Sequence, residues 1–386
     1  MLGSIIAARP ATFEAAAALL ARASAEGQTI RLRGGGTKLD WGANRAESRI
    51  DLCTGRLSRI VEHNAGDLTA VLEAGSRLAD AQQLFATAGQ MLALDPPLAP
   101  AGSADPAATI GGIVASGDSG PLRHRYGAPR DLILGITVAL GDGTIAQSGG
   151  KVIKNVAGYD LAKLFAGSFG TLGLILSVSV RLHPLPVGTA TALGSGADPE
   201  KVAAAARALA GAPLELDALD IAWRAGRGGV LARCGGANPA DRAHRAAQML
   251  RDAGLADADV VEEDEWLWER QRAGQRSREG AVVRVSARPS KLSDVLRAAE
   301  LCDGAVVGRA ALGVSYVDVE ATAAERLLSA LPAGARAVLQ DAPAELRSAV
   351  DPWGVQEGPA LELMRQVKRR FDPTGVCNPR VFVGGI

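Results

Sequence analysis

The first part of the chain alternates short apolar stretches with amphipathic ones. Residues 12–26 carry alanine and leucine at helical spacing, with Thr12 placed to cap that helix. The stretch TIRLR follows as a predicted strand and leads into three consecutive glycines. LTAVLEAG is a further predicted strand, and the helix after it is expected to begin at Ser76 and end near Gly89. This order of elements predicts an α+β fold.

The pattern changes after residue 186, where a His-Pro pair and a second proline end the first unit. Strands are predicted in GTATAL, ELDALDIAW, GGVLARCGG, GAVVRVSARP, GVSYVDV and ARAVLQD. Helical stretches such as PADRAHRAAQMLRDAG lie between them. We therefore expect a first domain over 1–186, a smaller α+β domain over 187–350, and a C-terminal segment over 351–386 that contains one helix.

One glycine motif imitates a dinucleotide-binding fingerprint. GDGTIA, residues 141–146, matches GxGxxA and follows a predicted strand. The residues after it are β-branched and interrupted by glycine, so they do not continue as a helix. Asp142 and Gly143 are therefore predicted to form a two-residue hairpin turn.

Composition excludes several classes of protein. The 386 residues are 47% hydrophobic and 22% charged, and basic and acidic residues total 42 each, so nucleic acid is not an expected partner. The four cysteines and four histidines are scattered, without metal-ligand spacing, which predicts neither a metal site nor disulfides. The N-terminal stretch has no basic segment before its short apolar run, and no apolar run reaches ~18 residues. A cytoplasmic protein is expected.

The glycine run RGGGTK is the first candidate for chemistry. Gly34, Gly35 and Gly36 can adopt positive φ and direct main-chain N–H groups at one point, which suits an anion. Thr37 and Lys38 could add donors. The alternative is a flexible turn between two strands.

Several blocks in this order resemble one family: RGGGTK, ATIGG, YGAPRDLILGITVALGDG, GGKVIKNVAGYDLAKLFAGSFGTLGLILSVSVRLHP and FDPTGVCNP. Together they resemble the flavin-binding fold of the vanillyl-alcohol oxidase and p-cresol methylhydroxylase superfamily, in its D-lactate and glycolate dehydrogenase branch. The resemblance implies an FAD-dependent oxidoreductase with a two-part FAD-binding domain, a shortened α+β cap, and a C-terminal segment that returns to the FAD domain.

The resemblance also implies which residues contact the cofactor. The glycine turn would hold the pyrophosphate, the stretch around ATIGG would follow the pyrophosphate and flavin, and GSFGTLGLI would lie near the ribose and adenine. The implied contacts are Arg33, Gly34, Gly35, Gly36, Thr37, Lys38, Pro97, Ser103, Ala108, Thr109, Ile110, Gly111, Gly112, Gly158, Gly170, Thr171, Gly173, Ile175 and Asn378.

Two positions depart from the pattern of relatives. Members that bind FAD covalently carry a histidine in the first glycine loop, where this chain has Thr37, so noncovalent FAD is expected. Relatives commonly carry glutamate where this chain has Phe169, which removes one expected contact.

The predicted cap lacks the metal-bound histidine cluster of complete hydroxy-acid dehydrogenases. Its single histidine, His244, lies beside arginines on a predicted helix, as a solvated surface residue would. A shortened cap of this kind resembles that of the shorter FAD-binding subunit of bacterial glycolate oxidases. The resemblance implies two partners, a longer homologous flavoprotein subunit and an iron–sulfur subunit, with contact to a membrane only through them, and glycolate or D-lactate as the substrate.

Two alternatives remain open at this point. A stand-alone 2-hydroxy-acid or alcohol oxidoreductase needs its own base, for which Arg123, His124 and Tyr126 in GPLRHRYG are candidates; a solvated loop is the other interpretation. A flavin-binding assembly subunit needs no turnover of its own. For a partner interface, VEEDEWLWERQR is the best candidate, because Trp266 and Trp268 cannot share one helix face.

Overall fold

The computed structural model describes residues 5–44, 47–99, 103, 105, 107–151, 160–277 and 279–386. Up to residue 186 these residues form short helices and three groups of paired strands. In chain order the elements are β1 (Ile6–Ala8), α1 (Phe13–Ala25), β2 (Ile30–Arg33), β3 (Ile50–Cys53), β4 (Ile60–Asn64), β5 (Thr69–Glu73), α2 (Leu78–Ala86), β6 (Gln90–Met91), α3 (Ile110–Ser116), α4 (Arg123–Tyr126), α5 (Pro129–Leu132), β7 (Ile133–Ala139), β8 (Ile145–Gly149), α6 (Leu161–Phe165), β9 (Leu174–Arg181) and β10 (His183–Pro184).

Two sheets organise this part of the molecule. A parallel sheet has the order β1-β3-β2, and an antiparallel sheet has the order β4-β5-β9-β7-β8. The turn between β7 and β8 is closed by Gly143 at φ 85°, and Thr144 N–H donates to the Asp142 carboxylate at 2.9 Å. The predicted hairpin is therefore confirmed, but the two-residue turn is wrong: Gly143 N–H donates to Leu140 O at 3.0 Å and Leu140 N–H donates to Thr144 O at 2.9 Å, so the loop has three residues, 141–143.

The helix ends test the capping predictions. Thr12 caps α1 as expected, since its side chain accepts a hydrogen bond from Ala15 N–H at 3.1 Å. The expected cap at Ser76 is wrong, because α2 begins after Arg77 and the Ser76 hydroxyl instead donates to Arg59 O at 3.2 Å. Ser76 ties the start of this helix to another loop rather than capping it.

The residues after 186 form a second set of elements. They are β11 (Thr189–Gly196), α7 (Pro199–Ala210), β12 (Ala218–Arg224), β13 (Arg227–Gly235), α8 (Pro239–Asp252), β14 (Asp259–Val261), α9 (Glu265–Ala273), β15 (Ala281–Ser286), α10 (Leu292–Glu300), β16 (Ala305–Arg309), β17 (Val314–Val319), α11 (Ala324–Ala330), β18 (Arg336–Asp341) and α12 (Ala344–Ala349). All the strands predicted here are present, whereas β14 and β16 were missed.

These strands pair antiparallel into one sheet of order β14-β11-β13-β12-β16-β17-β15-β18. Alternate residues of β15 and β17, such as Val283 and Val317, are buried in the core that this sheet shares with helices α7, α8 and α10. Because side chains alternate along a strand, Arg284 and Tyr316 belong to the opposite face. They are direct cross-strand neighbours, and Arg284 also lies opposite Val338 of β18.

The chain then returns to its first part. Helix α13 (Pro359–Phe371) packs through Phe371 against Phe165 of α6, with ring centroids 5.7 Å apart. Beyond it, Asn378 is buried at φ 40° and its side-chain oxygen accepts from Leu32 N–H at 2.8 Å. The same amide donates to Phe169 O at 2.7 Å. The C-terminal segment thus joins β2 to the loop around Phe169.

A second link runs from the eight-stranded sheet to the glycine turn. The Arg276 guanidinium pairs with Asp341 at 2.6 Å and donates to the main-chain oxygen of Thr37 at 3.1 Å. It also lies over the Trp41 ring at 5.4 Å from the centroid, and both partners of the ion pair are more than nine-tenths buried. Residues from distant parts of the sequence therefore meet on one short segment, 34–42.

Candidate functional site

The glycine turn forms one wall of a cleft between β2, α3 and the loop after α6. Two adjoining pockets share Gly34, Gly112 and Phe169 in their walls and so form one elongated cleft. Sequence-predicted residues that line it are Arg33, Gly34, Gly35, Gly36, Thr37, Lys38, Thr109, Gly111, Gly112, Gly170, Gly173, Ile175 and Asn378. The structure thus brings together residues that are up to 345 positions apart in sequence.

The turn needs glycine mainly because the chain passes very close to the segment before α3. A Cβ on Gly35 would lie 1.7 Å from Ala107 O, and one on Gly34 would lie 2.0 Å from the Thr109 hydroxyl. Only Gly36 of this run adopts positive φ, at 78°. The expected reason for the glycines is therefore corrected: Gly34 has no room for a Cβ because of the Thr109 side chain, Gly35 because of the Ala107 backbone, and Gly36 is required by its positive φ.

The N–H groups of residues 34–38 donate to no described residue. Consecutive free N–H groups in a turn form an anion-binding concavity, as a pyrophosphate requires. Lys38 also lines this wall, but its ammonium is paired with Asp118 at 3.2 Å and is almost fully buried. Burial lowers the pKa of Lys38, and Asp118 opposes that shift. The backbone, rather than Lys38, is the better candidate for holding an anion here.

Other predicted contacts do not reach the cleft. Ala108 and Ile110 are 1% exposed and pack into the core under the five-stranded sheet, because α3 directs them inward. The Thr171 hydroxyl donates to Ser168 O at 2.7 Å inside the loop. Ser103 is exposed, and Pro97 meets the site only through a 3.5 Å contact of its carbonyl with Lys38. Gly158 lies outside the described residues.

Asn378 lines the cleft, but its amide is fully engaged with protein backbone. Both of its N–H directions are used, toward Leu32 O at 3.3 Å and Phe169 O at 2.7 Å. Gly170, at φ 70°, leaves the space for it, since a Cβ there would lie 2.8 Å from Asn378 Nδ2. The Asn378 side chain therefore has a structural role in the wall of the cleft. Its amide hydrogens are already bonded to backbone oxygens and are not available to donate to a ligand.

A third pocket continues from this cleft toward the eight-stranded sheet. Phe169 lines all three pockets and marks the junction. The third pocket is lined by Trp41, Gly42, Ser116, Gly117, Asp118, Arg123, Phe169, Arg284, Tyr316, Val338, Gln340 and Trp353. Arg284, Tyr316 and Val338 belong to three neighbouring strands, on the sheet face opposite helices α7, α8 and α10.

Cationic and amide groups in this pocket lack protein acceptors. The buried Nε of Arg284 and Nε2 of Gln340 have no hydrogen-bond partner among the described residues. Arg123 donates to the Ser119 hydroxyl at 3.3 Å and forms no ion pair within the described chain. Burial lowers the pKa of Arg123, and the nearby Arg284 guanidinium lowers it further. These donors suit an anionic ligand.

Of the three catalytic candidates in GPLRHRYG, only Arg123 reaches this pocket. His124 does not line it; its Nδ1 is buried without a partner, and burial lowers its pKa. Tyr126 packs against His183, with ring centroids 4.7 Å apart. His124 and Tyr126 point away from the pocket that Arg123 lines, because the three residues occupy different positions around the single turn of α4.

Sequence reasoning missed Tyr316, Arg284, Gln340, Trp41 and Trp353. A signal existed for Arg284, since it is one charge inside the β-branched run AVVRVS. The other positions carry no comparable local signal. Among the described residues no group of three or more His, Cys, Asp or Glu could hold a metal, and the four cysteines are free and buried. No helix in the described part of the chain is long and apolar enough to cross a bilayer.

Residues 5–149 match a family model described as an FAD binding domain. The chain carries an FAD-binding domain. A Mycobacterium tuberculosis protein named as an uncharacterized FAD-linked oxidoreductase is 27% identical, over 98% of this chain and 90% of its own length. The glycolate oxidase subunit GlcE of Escherichia coli is 39% identical, over 33% of this chain and 35% of its own.

Among solved structures, alkyldihydroxyacetonephosphate synthase superposes with a TM-score of 0.67 and 14% identity, covering 97% of this chain and 76% of that one. This likeness shows the fold. The matches support the predicted flavoprotein superfamily and confirm the α+β fold class and FAD as the cofactor, and the chain is an FAD-dependent oxidoreductase. The residue contacts with FAD and its noncovalent attachment stay predictions. The glycine turn and its free N–H groups fit such a cofactor.

Replacing Gly35 with valine should abolish retention of FAD, because its side chain would collide with the Ala107 carbonyl and push the two walls apart. Flavin is measured in the supernatant after acid precipitation, where noncovalent attachment releases all of it. The control is Gly358→Val, an exposed glycine in extended conformation with no atom within 4 Å of its Cβ position. Normal flavin content in the Gly35 variant would contradict this site.

Replacing His124 with glutamine should make the protein less sensitive to acid. The folded chain holds His124 with a lowered pKa, so below about pH 6.5 the unfolded chain takes up a proton that the folded chain does not, and stability falls as the pH falls. The measurement is the free energy of unfolding in urea at pH 7.5 and 5.5. The exposed His244→Gln is the control. An unchanged loss of stability in the His124 variant would refute the assignment.

Proposed function

We propose that this chain oxidises a 2-hydroxy acid at its FAD, and that it works as the flavin subunit of a complex of the glycolate oxidase type. Glycolate and D-lactate are the substrates that the family resemblance implies. The observation that carries the proposal is the pair of guanidinium groups, Arg123 and Arg284, in the third pocket, which meets the predicted flavin cleft at Phe169.

Two cations that lie close together out of water repel each other, and an anion bound between them offsets this repulsion. Arg123 and Arg284 interact unfavourably in this way, and within the described residues neither is paired with a carboxylate. A guanidinium group matches the planar geometry of a carboxylate and can bind both of its oxygens. A substrate carboxylate therefore supplies what these side chains lack, with the Gln340 amide as a further donor.

When bound, the flavin accepts a hydride from the substrate. The residues of this chain hold and enclose that substrate. Arg123 and Arg284 bind the carboxylate, and the rings of Trp41 and Trp353 exclude water from the same pocket. The titratable groups that line the pocket besides the arginines are Asp118, which is paired with Lys38, and Tyr316. None of the described residues that line it is a histidine, so the described part of the pocket offers no histidine as the base for the hydroxyl proton.

This absence of a histidine base from the described lining residues supports the proposed complex. A longer homologous flavoprotein subunit and an iron–sulfur subunit would supply fast turnover and remove electrons from the flavin. The surface of α9 is the candidate interface: Trp266 is 50% exposed there, whereas Trp268 is fully buried and donates to Thr191. An exposed tryptophan among charged residues is typical of interface anchors.

Replacing Arg284 with methionine should weaken binding of pyruvate, the 2-oxo acid that corresponds to lactate. Loss of a charge-assisted contact costs about 1.5–3 kcal/mol, or roughly 10- to 100-fold in the dissociation constant. Titration calorimetry of the FAD-loaded protein measures it. Arg288→Met, an exposed arginine four residues further along the chain, is the matched control. Equal affinity for pyruvate in the Arg284 variant and the control would contradict the hypothesis that Arg284 binds the substrate carboxylate.

The isolated chain should reduce its flavin slowly under anaerobic glycolate or D-lactate, and faster once the partner subunits are added. A positioned base contributes roughly 10²–10⁴-fold in rate, and none of the described residues lining the pocket is a histidine that could act as one. Stopped-flow absorbance follows the flavin directly. Rapid and complete reduction of the chain alone would favour a stand-alone dehydrogenase, and no gain with the partners would count against the complex.

A further inference from the structure

The third pocket has an aromatic half that a two- or three-carbon substrate would leave unused. Trp41, Phe169 and Trp353 line it, with Tyr316 beside the two arginines, in a chain whose composition is only 4% aromatic. Glycolate has no side chain, and lactate has one methyl group. Trp41 is 3% exposed and already covered by protein, whereas Phe169 and Trp353 are only half-buried. Neither acid could cover the surface that Phe169 and Trp353 leave open, and uncovered apolar surface contributes nothing to binding.

The rings are held in place by their own polar contacts. Trp353 Nε1 donates to Val381 O at 3.1 Å, and Trp41 Nε1 donates to Asp341 at 2.6 Å. With its donor occupied, the Trp353 indole offers a ligand only apolar surface, whereas the Trp41 ring lies against the Arg276 guanidinium and supports the wall from behind. Gly42, at φ 80°, allows the approach of Trp353, because a Cβ there would lie 3.1 Å from the Trp353 ring. The aromatic wall is therefore rigid before any ligand binds.

Phe169 completes this wall at the junction with the flavin cleft. Its ring packs edge-to-face on Trp353 at 5.1 Å and stacks on Phe382 at 5.6 Å. Its backbone adopts φ 56°, a left-handed conformation that is uncommon for a bulky residue and that costs on the order of 1 kcal/mol or more. The ring stacking and the Asn378 hydrogen bond to its carbonyl hold it there. Strain of this kind points to a role for the ring at this position.

We propose that the substrate is a 2-hydroxy acid whose side chain ends in an aromatic ring, of the 3-phenyllactate class. This inference rests on the proposed function. The carboxylate binds Arg123 and Arg284, and the aryl group packs on the half-buried rings of Phe169 and Trp353. The C2–H bond breaks with its electron pair passing to FAD, the hydroxyl proton leaves to water or a base, and the 2-oxo acid is released. A one-electron acceptor of the iron–sulfur class then takes the electrons.

Binding is tested with carboxylates that lack the hydroxyl group and so cannot be oxidised in this way. Calorimetry on the FAD-loaded protein should show 3-phenylpropionate binding about 10-fold or more tighter than propionate, the gain expected for burying one ring. Trp353→Leu should remove most of this ratio, whereas Trp266→Leu, on the exposed surface of α9, should keep it. If Trp353→Leu loses FAD, Val338→Phe serves instead, since it fills the pocket and should block the larger acid alone.

Reactivity separates this inference from the proposed function. The ratio of second-order rate constants for anaerobic flavin reduction by D-3-phenyllactate and D-lactate, measured at subsaturating substrate, should exceed about 10, by the same ring-burial gain. Reduction by lactate or glycolate with no preference for the aryl acids would overturn the aromatic assignment and leave the proposed function standing. Tighter binding of 3-phenylpropionate without flavin reduction by any 2-hydroxy acid would support the aromatic site and overturn the proposed function.

Discussion

The side-chain amide of Asn378 joins the two walls of the cleft through three hydrogen bonds. One wall is β2, which leads into the glycine turn, and the other is the loop that carries Phe169. Leaving a buried backbone group unpaired costs roughly 1–3 kcal/mol. The three hydrogen bonds of the Asn378 amide therefore favour the observed spacing of the two walls. The glycines of the turn, the strained Phe169 and the aromatic cluster keep their geometry only while that spacing is maintained.

Because side chains alternate along each strand, one face of the eight-stranded sheet packs in the core and the other face lines the third pocket. On one face, small and β-branched residues pack beneath the helices. On the other face, the register puts Arg284 between Tyr316 and Val338, opposite the predicted flavin cleft. A shift by one residue in the pairing of β15 would exchange the two sets and remove the cationic group from the pocket. The antiparallel register is therefore a functional constraint as well as a structural one.

Local sequence predicted the features that depend on neighbouring residues. The cap at Thr12, the Asp142–Gly143 hairpin and the glycine turn each follow from a few adjacent residues. The features it missed depend on chain segments that meet only in the folded protein. The residues around Gly35 do not indicate that the Ala107 carbonyl will lie within van der Waals distance of it in the folded protein. Likewise, the stretch GPLRHRYG does not indicate that Arg123 lines a pocket while Nδ1 of His124 is buried.

The link between Arg276 and Thr37 has a consequence for the order of events during synthesis. The turn at residues 34–38 is made early, but the guanidinium that binds its carbonyl is translated about 240 residues later, and Asn378 later still. A nascent chain therefore has the turn without the partners that set its position. Both links to the first wall of the cleft are therefore complete only once the C-terminal segment has been translated, and a chain that ends before Arg276 lacks the side chains that make them.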